Sequence, residues 1–261
     1  MALLCLDIGN TSGHFGIVED GKVIEKWDVR TRRFIAATEE ARESLARAAR
    51  LEGLAFASVV PHATEGVRSL LTDLDLRIPA YQLRWDDAPG LGFDYPNPPE
   101  VGQDRLANAI GAQRLTGAPA VVIDMGTATS FDILTSKGYA GGAILPGLAL
   151  MAEYLHEKTA LLPRLDRTDL YTGSSIGKST REAMQVGCST GFRGMIKEVL
   201  INILEDLEKL GEHRPSVITT GSNAMVIPKD WWPDVKHVEE LSILGLAEAF
   251  RRKHLQAGPI A

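Results

Sequence analysis

The chain has 261 residues and a net charge of −6, with 44% hydrophobic and 24% charged residues. This is the composition of an ordinary globular protein, long enough for one large domain or two modest ones. The negative charge argues against nucleic acid as the main partner, because phosphate binding needs a basic face. We expect no membrane contact, since no apolar run is long enough to span a bilayer. We also expect a cytoplasmic protein, because the N-terminus lacks a signal-peptide pattern and the two distant cysteines fit a reducing compartment.

The N-terminal part predicts three strands joined by tight turns, followed by alternating helices and strands. The predicted strands are residues 3–7, 13–19 and 22–30. Asp20-Gly21 between the last two is a strong hairpin signal. Thr38 is a candidate N-cap for a helix that ends just before Gly53, since acidic residues follow it. The chain then reads as strand, helix and short strand in "LAFASVV", "ATEGVRSLLTDL" and "YQLRW".

A loop dense in proline and glycine comes next, "DDAPGLGFDYPNPPEVG", and it leads into the helical pattern "QDRLANAIGAQRL". A loop of this length inside a compact domain is usually functional or disordered. Asp104 is expected to be the helix N-cap, which leaves open whether it only caps the helix or is a carboxylate held for chemistry. Arg105 is either a forked donor for a polar substrate or a solvated surface residue, and Tyr95 either walls a pocket or anchors the loop.

A second stretch, "VVIDMGTATSFDILTSKGYAGGAIL", repeats the pattern of the first. Asp124 aligns with Asp7, and Gly138 lies as far beyond Asp124 as Gly21 lies beyond Asp7. The helix "GLALMAEYLHEKT", a long helical region over 180–210, the strand "SVITT" and a closing helix "SILGLAEAFRRKHL" follow. This repetition suggests a duplicated α/β fold with halves 1–112 and 113–261, a cleft between them, and a last helix able to pack back on the first half.

The residues where these strands end suit a nucleotide phosphate tail. Glycine allows close backbone approach, and Asn or Thr supplies donors. An aspartate in such a place would repel phosphates unless a cation lies between them, so Asp7 and Asp124 are candidate cation positions. The alternative interpretation is two ordinary turns, with Asp and Gly present for turn geometry.

The paired turns resemble those of the actin-like (ribonuclease H-like) ATPase superfold, which includes acetate and sugar kinases. The ordered segments "DIGNT", "GQDR", "DMGTATSFD", "GGAILPG", "TALLP", "IGKSTREAMQVG" and "TTGSNA" further resemble type III pantothenate kinases over nearly the whole chain. One departure is Gly221-Ser222, where the family usually has Gly-Gly.

The resemblance implies roles for particular residues. It implies that Asp104 is the catalytic base, that Asp124 is a ligand for K⁺ or NH₄⁺, and that Thr180 reaches pantothenate bound by the other subunit of a homodimer. The implied pantothenate pocket comprises Tyr95, Gly102, Gln103, Asp104 and Arg105 together with Thr180. The implied ATP contacts are Asp7, Ile8, Gly9, Asn10, Thr11, Ser12, Gly13, His14 and Thr127.

The function implied by the resemblance is ATP-dependent, Mg²⁺-assisted phosphorylation of pantothenate to 4′-phosphopantothenate, the first step of coenzyme A biosynthesis. One alternative is a regulatory or accessory member of the family with weak or no kinase activity. A second alternative is a nucleotide-dependent structural protein of the actin-like class. Retention of Asp104, Arg105 and both turns favours the enzyme.

Overall fold

The computed structural model describes residues 1–170, 175–224, 227 and 231–256. The strands are β1 (Ala2–Ile8), β2 (Ser12–Glu19), β3 (Lys22–Arg30), β4 (Gly53–Ser58), β5 (Ala80–Gln82), β6 (Ala120–Met125), β7 (Ala128–Thr135), β8 (Gly138–Pro146), β9 (Ser216–Thr220) and β10 (Lys236–His237). The α-helices are α1 (Thr31–Ile35), α2 (Glu39–Ala46), α3 (Pro61–Leu74), α4 (Gln103–Thr116), α5 (Leu148–Glu157), α6 (Thr180–Lys209) and α7 (Leu241–Gln256).

The strands form two five-stranded sheets with the same topology. The first has the order β3-β2-β1-β4-β5 and the second the order β8-β7-β6-β9-β10. In each sheet the central strand pairs antiparallel with the next strand in sequence and parallel with a later one. The expected duplicated α/β fold of mixed sheets flanked by helices is therefore confirmed.

The chain separates into two compact units. The first comprises residues 1–117, 137–140 and 240–261, and the second comprises 118–136 and 141–239. In the first unit α7 packs against α4 and β1. The segment 137–140, which includes the start of β8, groups with the first unit although the rest of the second hairpin does not.

The first hairpin forms as predicted. Asp20 and Gly21 have φ values of 47° and 77°, which is the positive-φ pair that a two-residue hairpin turn requires. β1 is buried along nearly its whole length because it lies in the middle of the sheet, and this explains its unbroken apolar run.

The helix predicted from Thr38 to Gly53 is wrong at its C-terminal end. Thr38 does precede α2, but α2 stops at Ala46 and a 3₁₀ turn covers Arg47–Arg50. Gly53 is already the first residue of β4, where it pairs with Leu3 of β1. The chain must reach this parallel register, and that requirement overrides the helical pattern.

The long helix α6 follows the predicted bounds closely. The Ser179 side chain accepts a hydrogen bond from the Glu182 amide (3.2 Å), which caps the first turn. Along its length α6 contributes side chains at helical spacing to the hydrophobic core of the second unit, including Cys188, Phe192 and Ile196. The first residue of α6 is therefore held in place by both a cap and a buried helix face.

Candidate active site

The loop between β1 and β2 is braced by the start of α1. The Gly9 amide donates to the Ser12 carbonyl (3.0 Å), and the Thr31 hydroxyl donates to the Gly9 carbonyl (2.6 Å). The Thr31 amide donates to the Thr11 carbonyl (3.1 Å). These bonds fix the turn while Asn10 and Thr11 remain exposed to solvent, so a rigid loop presents a side-chain amide and a hydroxyl.

The predicted phosphate segment from Asp7 to His14 extends beyond this loop on both sides. Asp7 and Ile8 are the buried end of β1, and Ser12, Gly13 and His14 begin β2. The exposed His14 ring hydrogen bonds with the carboxylate of Asp28 on β3 (2.7 Å). The eight predicted residues are thus the loop between β1 and β2 together with the strand ends that flank it.

The N-terminus of α4 carries the predicted base. Gly102 is the N-cap and Asp104 occupies the second helical position, so the expectation that Asp104 caps the helix is wrong. The sequence pattern did not show whether Gly102 or Asp104 is the N-cap, because glycine can also adopt the N-cap conformation. The side chain still binds backbone: Oδ1 of Asp104 accepts from the Arg105 amide (2.8 Å).

The environment of Asp104 raises its pKa above the ordinary value. Burial is the largest cause, and the amide and charge of Arg105 offset only part of the rise. The residue as a whole is half-buried, so part of it remains accessible to a ligand. A carboxylate in this environment is a stronger base than a solvated one, which suits it to accept a proton.

Gln103 is engaged with neighbouring strands. Its Oε1 accepts from the Ser58 amide at the end of β4 (3.0 Å) and from Nε2 of Gln82 in β5 (3.3 Å). Ser58, Gln82 and Gln103 also line a cavity of about 300 Å³ next to the start of α3. The Gln103 side chain therefore ties the beginning of α4 to the ends of β4 and β5.

Arg105 and Tyr95 meet at a residue that the sequence did not single out. The ring of Tyr139 lies beneath the Arg105 guanidinium, with 5.7 Å between Cζ and the ring centroid. Tyr95 approaches the same ring edge-on, with centroids 5.9 Å apart. No sequence signal linked these positions, because the contact joins three separate segments of the first unit.

Asp124 lies near the end of β6 in the second unit. A Cβ on Gly221, which has a φ of 87°, would lie 2.5 Å from Oδ1 of Asp124, so the glycine lets the chain after β9 pack directly beside the carboxylate. Asn223 donates from its side chain to the Gly126 carbonyl and from its backbone amide to the Met125 carbonyl (both 2.9 Å). A carboxylate is an oxygen ligand of the kind that hard cations take, and these bonds fix the backbone beside it.

Thr127 and Thr180 are the remaining predicted contacts, and both are exposed residues of the second unit. The Thr127 carbonyl accepts from the Gly147 amide (3.0 Å), which fixes the turn between β6 and β7. Thr180 is the first residue of α6. The Asp7–His14 segment, Tyr95 and the residues at the start of α4 belong instead to the first unit.

The described residues contain neither a clustered metal site nor a membrane-spanning helix. Among them no group of three or more His, Cys, Asp and Glu side chains is placed to hold a metal ion. None of the helices within residues 1–170, 175–224 and 231–256 is long and apolar enough to cross a membrane.

Two solved structures show the same fold. One from Campylobacter jejuni, named as a Baf family transcriptional activator, has a TM-score of 0.62 at 18% identity and covers 97% of this chain and 99% of its own. A ROK hexokinase from Thermus thermophilus has a TM-score of 0.51 at 16% identity and covers 98% of this chain and all of its own. At these identities the likeness shows the actin-like fold and nothing further.

The sequence comparisons are more specific. A family model described as type III pantothenate kinase matches residues 3–202. A protein from Akkermansia muciniphila with the name type III pantothenate kinase is 37% identical over 231 residues, which are 88% of this chain and 90% of that relative. On this evidence the chain belongs to the type III pantothenate kinase family.

Proposed function

We propose that the protein transfers the γ-phosphoryl group of ATP to the primary hydroxyl of pantothenate, which gives 4′-phosphopantothenate for coenzyme A biosynthesis. Family membership over residues 3–202 supplies the reaction. The structural observation that carries the proposal is Asp104, a half-buried residue at the start of α4 whose carboxyl binds the Arg105 amide and has a pKa raised by burial. The reaction consumes ATP, and we therefore place it in the cytoplasm.

Asp104 is the proposed general base. Its carboxylate accepts the proton of the pantothenate hydroxyl as that oxygen attacks the γ-phosphorus. The Arg105 amide holds Oδ1, so the other oxygen of the carboxylate is the one available for the proton. Phosphoryl transfer depends mainly on positioning and charge stabilisation, and a fixed base serves the positioning.

The rest of the proposed pantothenate pocket comes from the same helix start and the loop before it. Arg105 offers a forked donor that matches the carboxylate at the other end of pantothenate. Tyr95 forms an aromatic wall, and Gly102 leaves room for the Asp104 carboxylate itself, since a Cβ there would lie 2.5 Å from Oδ1 of Asp104. Gln103 contributes by holding the start of α4 against the Ser58 amide.

For ATP, the proposed contacts are the Asp7–His14 segment and Thr127. The braced loop exposes Asn10 and Thr11. Binding of ATP need not order the loop backbone, because Thr31 already fixes it. Mg²⁺ bound to the phosphates neutralises charge that develops during transfer. Few protein carboxylates are needed for this, because Mg²⁺ in kinase sites takes most of its ligands from phosphate and water.

A monovalent cation is proposed beside Asp124. The carboxylate supplies an oxygen ligand for K⁺ or NH₄⁺, and Asn223 fixes the backbone of Met125 and Gly126 beside it. When bound, such a cation supplies positive charge that offsets the repulsion between Asp124 and phosphate oxygens.

The proposed assembly is a homodimer in which Thr180 of one subunit reaches pantothenate bound by the other. Large apolar side chains that are exposed in the single chain support a further interface in the second unit. They are Ile144, Leu150, Tyr154, Leu155, Leu161 and Ile176. A two-fold axis would bury the same surface on both subunits and create two equivalent sites.

The direct test is to incubate the purified full chain with ATP, Mg²⁺, K⁺ and pantothenate. We expect stoichiometric ADP and a product heavier than pantothenate by one phosphoryl group, detected by mass spectrometry. Reactions without pantothenate measure background ATP hydrolysis, and the Asp104→Asn variant shows whether turnover depends on the proposed site. ADP release that is independent of pantothenate, with no new product, would contradict the proposal.

A further inference from the structure

Tyr139 is the largest fully buried side chain among the described residues. Three side chains from two other segments surround its ring. The Arg105 guanidinium lies over it at 5.7 Å, Tyr95 meets it edge-on at 5.9 Å, and Phe93 meets it edge-on at 6.4 Å. Tyr95 and Arg105 are half-buried, so a fully enclosed ring supports two side chains that a ligand can reach.

The backbone around Tyr139 joins the same loop. The Tyr139 amide donates to the Gly92 carbonyl (2.8 Å), and the Asp94 amide donates to the Tyr139 carbonyl (2.9 Å). Gly138 makes this approach possible, because a Cβ at that position would lie 2.1 Å from the Gly92 carbonyl oxygen. The middle of the long proline- and glycine-rich loop is therefore attached to the residues that begin β8.

The other end of that loop is attached separately. Lys253 of α7 forms an ion pair with Asp87 (2.8 Å), and Arg252 donates to the Pro89 carbonyl (3.3 Å). Residues 91–95 thus include the groups that are attached to Tyr139 and its backbone, whereas residues 87–89 are attached to α7. This difference makes the contribution of Tyr139 separable by experiment.

We propose that Tyr139 is a positioning residue for pantothenate, and this inference rests on the proposed function. Its ring packs against the Arg105 guanidinium, with 5.7 Å between Cζ and the ring centroid, and so restricts where the guanidinium can lie. The same ring holds Tyr95 at the other side of the pocket. Tyr139 acts through these two side chains and makes no contact with substrate itself.

The first measurement is steady-state kinetics of Tyr139→Leu, which removes the ring but keeps an apolar core residue. We expect KM for pantothenate to rise about tenfold, because loosening Arg105 weakens substrate binding in the ground and transition states alike. KM for ATP should stay constant. Tyr139→Phe keeps the ring and should restore most of the loss.

Phe250→Leu is the matched control, since Phe250 is another buried aromatic residue of the first unit. It should lower the melting temperature without changing KM for pantothenate. If Phe250→Leu raises KM as much as Tyr139→Leu, the effect is general destabilisation and the proposal is wrong. The double variant with Arg105→Ala adds a second criterion: Tyr139→Leu should raise KM less in that background than in the wild type.

Hydrogen exchange tests the positioning role of Tyr139 separately from the proposed function. In Tyr139→Leu we expect faster amide exchange over residues 91–95 and unchanged exchange over 87–89. If the wild type phosphorylates pantothenate but neither KM nor this exchange changes in Tyr139→Leu, the positioning role is refuted while the proposed function stands. If the wild type phosphorylates no pantothenate, both the proposed function and the role of Tyr139 toward pantothenate are refuted.

Discussion

Replacing Asp104 by Asn tests the proposed base with the least structural change. The amide oxygen of Asn can still accept from the Arg105 amide, which holds Oδ1 in the wild type at 2.8 Å. What is lost is the ability to take a proton. General bases contribute about 10²–10⁴-fold, so turnover should fall by that factor, which corresponds to about 2.7–5.4 kcal/mol in the activation barrier.

The stability of the same variant should not fall with its turnover. A folded-state pKa raised above the unfolded value means that Asp104 favours folding at low pH and that this contribution is lost as pH rises through the folded pKa. At neutral pH the ionised carboxylate is therefore a net cost. Asn loses the favourable charge near the α4 N-terminus, about 0.3–1 kcal/mol, but the raised pKa shows that desolvation outweighs it. Asp104→Asn should be at least as stable as the wild type at neutral pH.

The assays are steady-state rates across pH and thermal melts at neutral and acid pH. The wild-type rate should fall as pH drops through the raised pKa of Asp104, and the residual rate of the Asn variant should not follow that profile. Glu100→Gln is the control, because Glu100 is an exposed carboxylate just before α4 and should leave the rate unchanged. Turnover of Asp104→Asn close to wild type, with the same pH profile, would refute the assignment.

Three other predictions follow from the remaining sites. If Asp124 holds a monovalent cation, the wild type should be faster with potassium than with sodium alone, and Asp124→Asn should lose that difference. Equal wild-type rates in both salts would refute the proposed cation site. Mixing separately inactive Asp104→Asn and Thr180→Arg dimers under exchange should restore about a quarter of the sites, by symmetry; if native mass spectrometry confirms exchange and no activity returns, the site is not shared. Gln103→Leu leaves the Ser58 amide without its acceptor and should cost about 1–3 kcal/mol in chemical denaturation; an unchanged unfolding free energy would show that the bond does not hold α4.

Local signals predicted most of the secondary structure. Asp20-Gly21 marks its hairpin through backbone geometry that few other residues adopt, and the alternating apolar runs mark strands because burial has a fixed period. Two short elements, α1 and β10, were not predicted, since five residues and two residues are too few to show a period. The end of α2 was misplaced because pairing with β1, which is a long-range contact, decides where β4 begins.

The sequence motifs predicted the residues of the candidate site. They did not predict the contacts that hold those residues in place. Asp104 and Arg105 were identified from "GQDR", yet the helix position of Asp104 was wrong by two residues because the cap is a glycine. The interactions that hold Arg105, Tyr95 and Gln103 are made by residues far away in sequence. Motifs report which chemistry is present, whereas the contacts that fix its geometry depend on the folded chain.

Gly21 and Gly138 occupy the same place in the two repeats, but glycine is needed there for different physical reasons. Its counterpart Gly21 has a φ of 77° and lies within a two-residue turn. Gly138 has a φ of 124° and starts β8, where a side chain would collide with the Gly92 carbonyl. The shared offset from Asp7 and Asp124 correctly indicated duplication, but in the second copy the glycine also permits the loop contact beside Tyr139. Substitution of Gly138 by alanine should therefore disturb residues 91–95 as well as the hairpin, whereas substitution of Gly21 should disturb its turn and the Arg114 guanidinium beside it.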